Sequence, residues 1–273
     1  MIPPLPALLV VFAATALSPS ATEFDLALRD FDEAQQSQRT QPDRARQLFR
    51  SAAQRLSSVA ASGLRSGYLE YNLGNCHLQA GDLGQAILHY RRAQLLIPRD
   101  PLLADNLTLA RSRCLTQIQP ARQDVVLRGV FFWHYQTSSG ERAYAAGGAY
   151  GLTFVLLIAR AFVRRRSLLI VSAVSAAAAA VGGVSLLADR WTERNEPGAV
   201  ITQMDVPVYK GPGPGYQRQF EQPLQPGVEC VVLERRDRWW RVQLADGNRG
   251  WVEGAAAELV NEEPGEAAVI LRS

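Results

Sequence analysis

Two stretches without a charged side chain, residues 143–159 and 167–188, flank a short run that holds Arg160, Arg164, Arg165 and Arg166. This feature limits the fold more than any other. At about 1.5 Å per residue, residues 143–163 reach roughly 31 Å as a helix, the thickness of a bilayer's hydrocarbon core. Residues 167–188 form a second span of similar length. With so little chain between them, the spans must turn back as a helical hairpin. Arg160 lies one turn inside and can snorkel toward the same side as its neighbours. Gly147, Gly148 and Gly151, with the Ala-, Gly- and Ser-rich second span, predict close helix–helix contact. Positive charge concentrated in a small loop belongs in the cytoplasm, which puts both flanks of the hairpin outside.

The N-terminus points the same way. Residues 5–17 are apolar, too short to span a bilayer and suited to a signal-peptide core, and small residues follow at Ser18, Ser20 and Ala21. Residues 1–21 therefore read as a signal peptide, cleaved after Ser20 or Ala21, although its first residues lack Lys and Arg. Residues 123–142 form a linker before the first span. Its amphipathic part clusters Phe131, Phe132, Trp133 and Tyr135, a composition suited to the membrane interface.

Residues 23–118 alternate polar and apolar positions at helical spacing. The expected helices cover 24–38, 43–62, 68–80, 83–97 and about 101–115. Pro42 opens the second, Gly81-Asp82 separates the third and fourth, and Pro98 stops the fourth. Leu73-Gly74, Ala86, Tyr90, Ala93 and Pro98 stand at the spacing of a tetratricopeptide repeat, which residues 67–98 resemble. In that reading Gly74 and Ala86 are small where two helices cross, and Tyr90 fills the gap between them. Ala45, Phe49 and Ala52 repeat part of the pattern upstream. Residues 22–122 are thus expected to be an all-α tetratricopeptide solenoid. The resemblance implies a peptide- or protein-binding groove lined by Tyr68, Tyr71, Asn72, Asn75 and Gln79, then by Asp105, Asn106, Leu109 and Arg113.

From residue 198 to 260 the period changes to two. Val206, Val208 and Tyr209 lead into a GPGPG loop at 211–215. Residues 227–234, 238–244 and 250–253 read as strands, with Asp246-Gly247 as a hairpin turn. Several short strands in so few residues imply a small all-β barrel. The run VPVY, then GVECVVL, then WRVQL with DG and GWV resembles a bacterial SH3 domain. Alternation puts Trp240 with Val242 and Leu244 in the core and Trp239 on the other face; the SH3 resemblance implies that Trp239, with Tyr209, belongs to the ligand-facing surface. The segment after Trp251 lacks the Pro and Tyr of a polyproline groove. Residues 261–273 form a short tail.

Recognisable catalytic chemistry is missing. There is no nucleophile elbow, paired-carboxylate motif or phosphate loop, and GPGPG is followed by neither a helix nor GK[ST]. Three cysteines (Cys76, Cys114, Cys230) and three histidines are scattered outside any zinc spacing, so no metal or cofactor is expected. Cys76 and Cys114 are read as small buried residues, with a disulfide between them as the alternative. A net charge of +3 gives no case for nucleic acid.

The order signal peptide, tetratricopeptide repeats, interfacial aromatics, two-span hairpin and SH3-like barrel resembles the BatE family of aerotolerance-operon proteins. That resemblance implies a multidomain, non-enzymatic scaffold of the bacterial inner membrane, with both soluble domains periplasmic. Its implied partners are membrane-anchored von Willebrand factor A-domain proteins and, through them, a MoxR-type AAA+ ATPase. The alternative function is a cell-wall binding or sensing protein that contacts peptidoglycan through the barrel.

Overall fold

The computed structural model describes residues 19–116, 118, 136–163 and 165–261. The signal-peptide reading falls almost wholly outside them, as do most of the interfacial linker and Arg164. Seven α-helices and a small antiparallel sheet make up the described residues. They divide into two units: residues 1–121 with 197–273, and residues 122–196.

In the first unit, α1 (Pro19–Ser37) and α2 (Pro42–Ala61) pack as a hairpin. Pro42 supplies a preset φ where no intrahelical N–H is needed, and Asp43 favours the positive helix start. Ala27, Phe31 and Ala34 meet Ala45, Phe49, Ala52 and Leu56, with the Phe31 and Phe49 rings edge to face at 5.3 Å. The next pair is α3 (Gly67–Ala80) and α4 (Leu83–Leu96). Gly81 ends α3 in the left-handed region at φ 88°, a conformation glycine adopts without a Cβ penalty. Gly74 lies under the Tyr90 ring, where an added Cβ would come within 2.5 Å of Tyr90 Cδ1. The Asp100 carboxylate caps α5 (Pro101–Arg113) by accepting from the Leu103 amide at 3.0 Å. Cys76, Cys114 and Cys230 are buried free thiols. Cys76 belongs to the α1–α3 core, whereas Cys114 belongs to the core around α4 and α5.

The sheet runs β4–β3–β2–β1–β5, antiparallel throughout: β1 Gly198–Ile201, β2 Glu229–Arg236, β3 Trp239–Leu244, β4 Arg249–Glu253 and β5 Ala257–Leu259. Strands β1 and β5 add to those expected. Val206 and Tyr209 do not open a strand; they make isolated bridges to Leu224, and to Arg218 and Trp251. Ala199, Ile201, Val206, Val208, Val232, Val242 and Val252 fill the barrel.

The helices α1–α5 and the barrel belong to one unit and share a core. Val200 of β1 and Val260 are buried among Ile87, Tyr90, Leu103 and Leu107. Each such side chain contributes about 1.5–3 kcal/mol on burial. Arg92 Nη2 donates to the Leu259 carbonyl at 2.8 Å, Gln85 Nε2 to Glu258 at 2.5 Å, and Arg111 to both Glu229 oxygens at 2.6 and 3.0 Å. Gly84 permits the approach, since a Cβ there would come within 2.8 Å of the Ile201 carbonyl oxygen.

The second unit is a hairpin of α6 (Ser139–Phe162) and α7 (Arg166–Asn195). Both helices are long and apolar enough to cross a membrane. Ser138 and Glu141 form a reciprocal capping box at the start of α6. Contact between the helices does not fall on Gly147, Gly148 and Gly151, which have open space beside them; it falls on Gly182, where a Cβ would lie 2.8 Å from Ala146 Cβ. Ser175 donates to the Ala149 carbonyl at 2.7 Å, and the buried Arg142 donates to Ser185 at 3.0 Å and pairs with Asp189. Helix α7 continues past residue 188, where Asp189 pairs with Arg142.

Candidate functional site

The side chains expected in a groove separate into two groups. Tyr71, Asn72, Asn75 and Asn106 are buried. Three helices supply a closed polar network: Tyr90 Oη donates to Asn75 Oδ1 at 2.8 Å, and Asn106 Nδ2 donates to Asn75 Oδ1 and to Tyr71 Oη at 2.9 Å each. Burial raises the Tyr90 and Tyr71 hydroxyls above the usual tyrosine range, so both stay protonated donors or acceptors. Asn72 Oδ1 is buried without a hydrogen-bond partner among the described residues. Gln79 is half-buried and accepts from Gln38 at 3.0 Å, and Leu109 is half-buried. Tyr68, Asp105 and Arg113 are exposed, and these three are the members of the set open to solvent.

Also on α3 and α4, the His77 and His89 rings stack in parallel, centroids 5.3 Å apart. His89 Nδ1 bonds Glu70 at 2.8 Å, while His77 lies 3.8 Å from Asp82, too far for a hydrogen bond. Burial pushes the His89 pKa down despite Glu70. His77 and the Arg50 guanidinium, 2.8 Å away, hold Asp82 far below the ordinary carboxylate range. Burial pushes the Cys76 and Cys230 thiols up to about 12, so neither supplies a thiolate at neutral pH. No group of acidic, His and Cys side chains among the described residues could hold a metal ion.

On the barrel, Trp239 stands edge-on to Tyr209 with ring centroids 5.6 Å apart, and both are half-buried. Their placement follows from the pairing: Tyr209 and Trp251 exchange backbone hydrogen bonds of 2.8 Å, and Trp239 pairs with Glu253 across β3 and β4. Trp240 points the other way. It packs on the barrel core above Gly254, with Arg235 over its outer face at 4.8 Å. A 3-10 turn, Gly254–Ala256, follows β4. Sequence reasoning missed Tyr216, 55% exposed, whose ring rests against Gly211. The glycines of the GPGPG run were the available signal: small residues let an aromatic ring lie against backbone. Helices α4 and α5 occupy the β1–β5 side, so the Tyr209–Trp239 pair sits on the opposite, β3–β4 side of the sheet.

At the hairpin turn, Arg160, Arg165 and Arg166 line a common hollow with Leu157 and Ala161.

A family model described as a bacterial SH3 domain matches residues 203–256. No curated protein and no solved structure matches the chain.

Proposed function

We propose that this chain is a non-enzymatic, membrane-anchored binding protein of the bacterial cell surface whose SH3-like barrel engages cell-wall material. The observation that carries the reading is the Tyr209–Trp239 pair: two aromatic rings half open to solvent, within the segment that matches a bacterial SH3 domain. Glycan and peptide ligands stack on such rings, which present large rigid area at low entropic cost. The helices serve as a mount, holding the barrel by its β1–β5 side. Residues 19–116 and 197–261 contribute to one unit, so they share one side of the bilayer, and the arginines at the turn favour the cytoplasm for the hairpin loop. Both points support a periplasmic barrel and helical stack.

The experiment is retention of the detergent-solubilised chain on purified cell-wall sacculi. Trp239→Ala is expected to weaken retention about thirtyfold, the effect of losing an aromatic anchor worth about 2 kcal/mol. Unchanged retention by Trp239→Ala would contradict the reading.

A second reading keeps the protein-scaffold role that the BatE resemblance implies, with tetratricopeptide-type helices binding von Willebrand factor A-domain proteins linked to a MoxR-type ATPase. Exposed Tyr68, Asp105 and Arg113 on α3 and α5 favour it. In this case Tyr68→Ala with Arg113→Ala removes the co-purifying partner, and Trp239→Ala leaves it bound.

A further inference from the structure

The turn of the hairpin carries positive charge with no counter-charge lining it among the described residues. Arg160, Arg165 and Arg166 line a hollow of 450 Å³ whose remaining wall is Leu157 and Ala161. None of the three pairs with a carboxylate among the described residues. The acidic residues of α6 and α7 all belong to the other end: Glu141 is in the first turn of α6, and Asp189, Glu193 and Glu196 lie in the last two turns of α7 or just beyond it. Arg142, paired with Asp189, marks that end. It stands about 27 Å from Arg160 along α6 at 1.5 Å per residue. That exceeds the screening length of about 8 Å in physiological salt, so those carboxylates do not neutralise the turn. Helix α7 opens at Arg166 with no acidic residue in its first turn and no side-chain cap, so nothing in that turn offsets the arginines. Leu157 and Ala161 give the hollow an apolar wall beside its cations, as a charged headgroup attached to hydrocarbon requires.

We propose that this hollow binds the phosphate of an anionic phospholipid headgroup. Arginine forks match phosphate oxygens in geometry and stay charged at any physiological pH. A basic hollow between two spans, at the level of the headgroups, is where such a lipid is held in place of bulk lipid. The inference rests on α6 and α7 crossing a bilayer, which reporter fusions on either side of the hairpin test separately.

The test uses the full chain reconstituted in vesicles of phosphatidylethanolamine and phosphatidylglycerol, released into mild detergent and analysed by native mass spectrometry. Phosphatidylglycerol is expected to be retained above its proportion in the vesicle. Arg160→Gln with Arg166→Gln should lower that enrichment about fivefold per arginine, roughly twenty-fivefold for the pair. Arg165 remains at the turn, and reporter fusions confirm that the orientation is kept. Arg190→Gln with Arg194→Gln, the same charge change at the far end of α7, should leave enrichment intact. Equal enrichment in the wild type and the Arg160/Arg166 variant, or equal loss with Arg190→Gln and Arg194→Gln, overturns the proposal. Displacement of the lipid by millimolar inorganic phosphate would assign the hollow to a soluble anion and overturn its lipid identity.

Discussion

Asn75 shows how much a single side chain can matter here. It accepts hydrogen bonds from both Tyr90 and Asn106 in a space closed by α3, α4 and α5. Replacing it with Ala strands two buried donors, at about 1–3 kcal/mol for each. Arg113→Ala, at an exposed position, should stay within about 0.5 kcal/mol. Denaturant unfolding of the solubilised chain compares the two, and equal losses would mean that the network is not closed. Sequence spacing places Tyr71, Asn75 and Asn106 on facing helix surfaces. It does not tell whether polar side chains there face a partner or one another; that depends on how closely α5 approaches α3. A second residue-scale prediction concerns acid. Burial lowers the His89 pKa from 6.5, and the groups that face His89 are Glu70, His77 and Arg92. A folded-state pKa below the unfolded one means that the unfolded chain binds more protons, so stability falls as pH drops below about 6.5. The depressed Asp82 acts in the same direction, its contribution being lost as pH falls below 3.8. His89→Gln should flatten the first part of this decline in a melting-temperature profile from pH 8 to 5 (a range chosen about the histidine pKa). An unchanged slope would assign the effect elsewhere.

At the scale of elements, the helices were legible because their punctuation is local. Pro42, Gly81-Asp82 and Pro98 set boundaries within a residue or two of those in the structure. Strands β1 and β5 were not, since four and three residues are too few to display a period of two. The isolated bridges at Val206 and Tyr209 explain the opposite error: alternation persists along extended chain that pairs at single points. In the hairpin, small residues announced close packing but not its face, which depends on the rotation of each helix about its axis. The Arg142–Asp189 pair fixes that rotation together with Gly182. Breaking a buried pair from one side leaves an unmatched charge, at about 3–5 kcal/mol, whereas removing both partners costs much less. Arg142→Met and Asp189→Leu should therefore each lower the thermal stability of the solubilised chain more than the double replacement does. Additive losses would show that the two side chains act independently.

For the whole molecule, the defining relation lies between segments far apart in sequence. Gln85 meets Glu258 across 173 positions, with the entire hairpin between them. No local pattern encodes such a contact, which is why the sequence reads as two separate soluble domains. The one trace is Gly84, a helix-weakening residue where the chain needs close backbone approach. The two flanks of the hairpin fold together into one unit, with the Tyr209–Trp239 pair half open to solvent on the barrel. The most direct measurement is cross-linking in intact membranes of the variant carrying Gln85→Cys and Glu258→Cys, using a short bis-maleimide and mass spectrometry of the linked peptides. The native thiols at Cys76, Cys114 and Cys230 are buried and should stay silent. An intramolecular 85–258 link is expected, and it should be lost when Gly84→Leu is added. If both engineered thiols label singly from the same side yet never link to each other, the flanks do not fold into one unit.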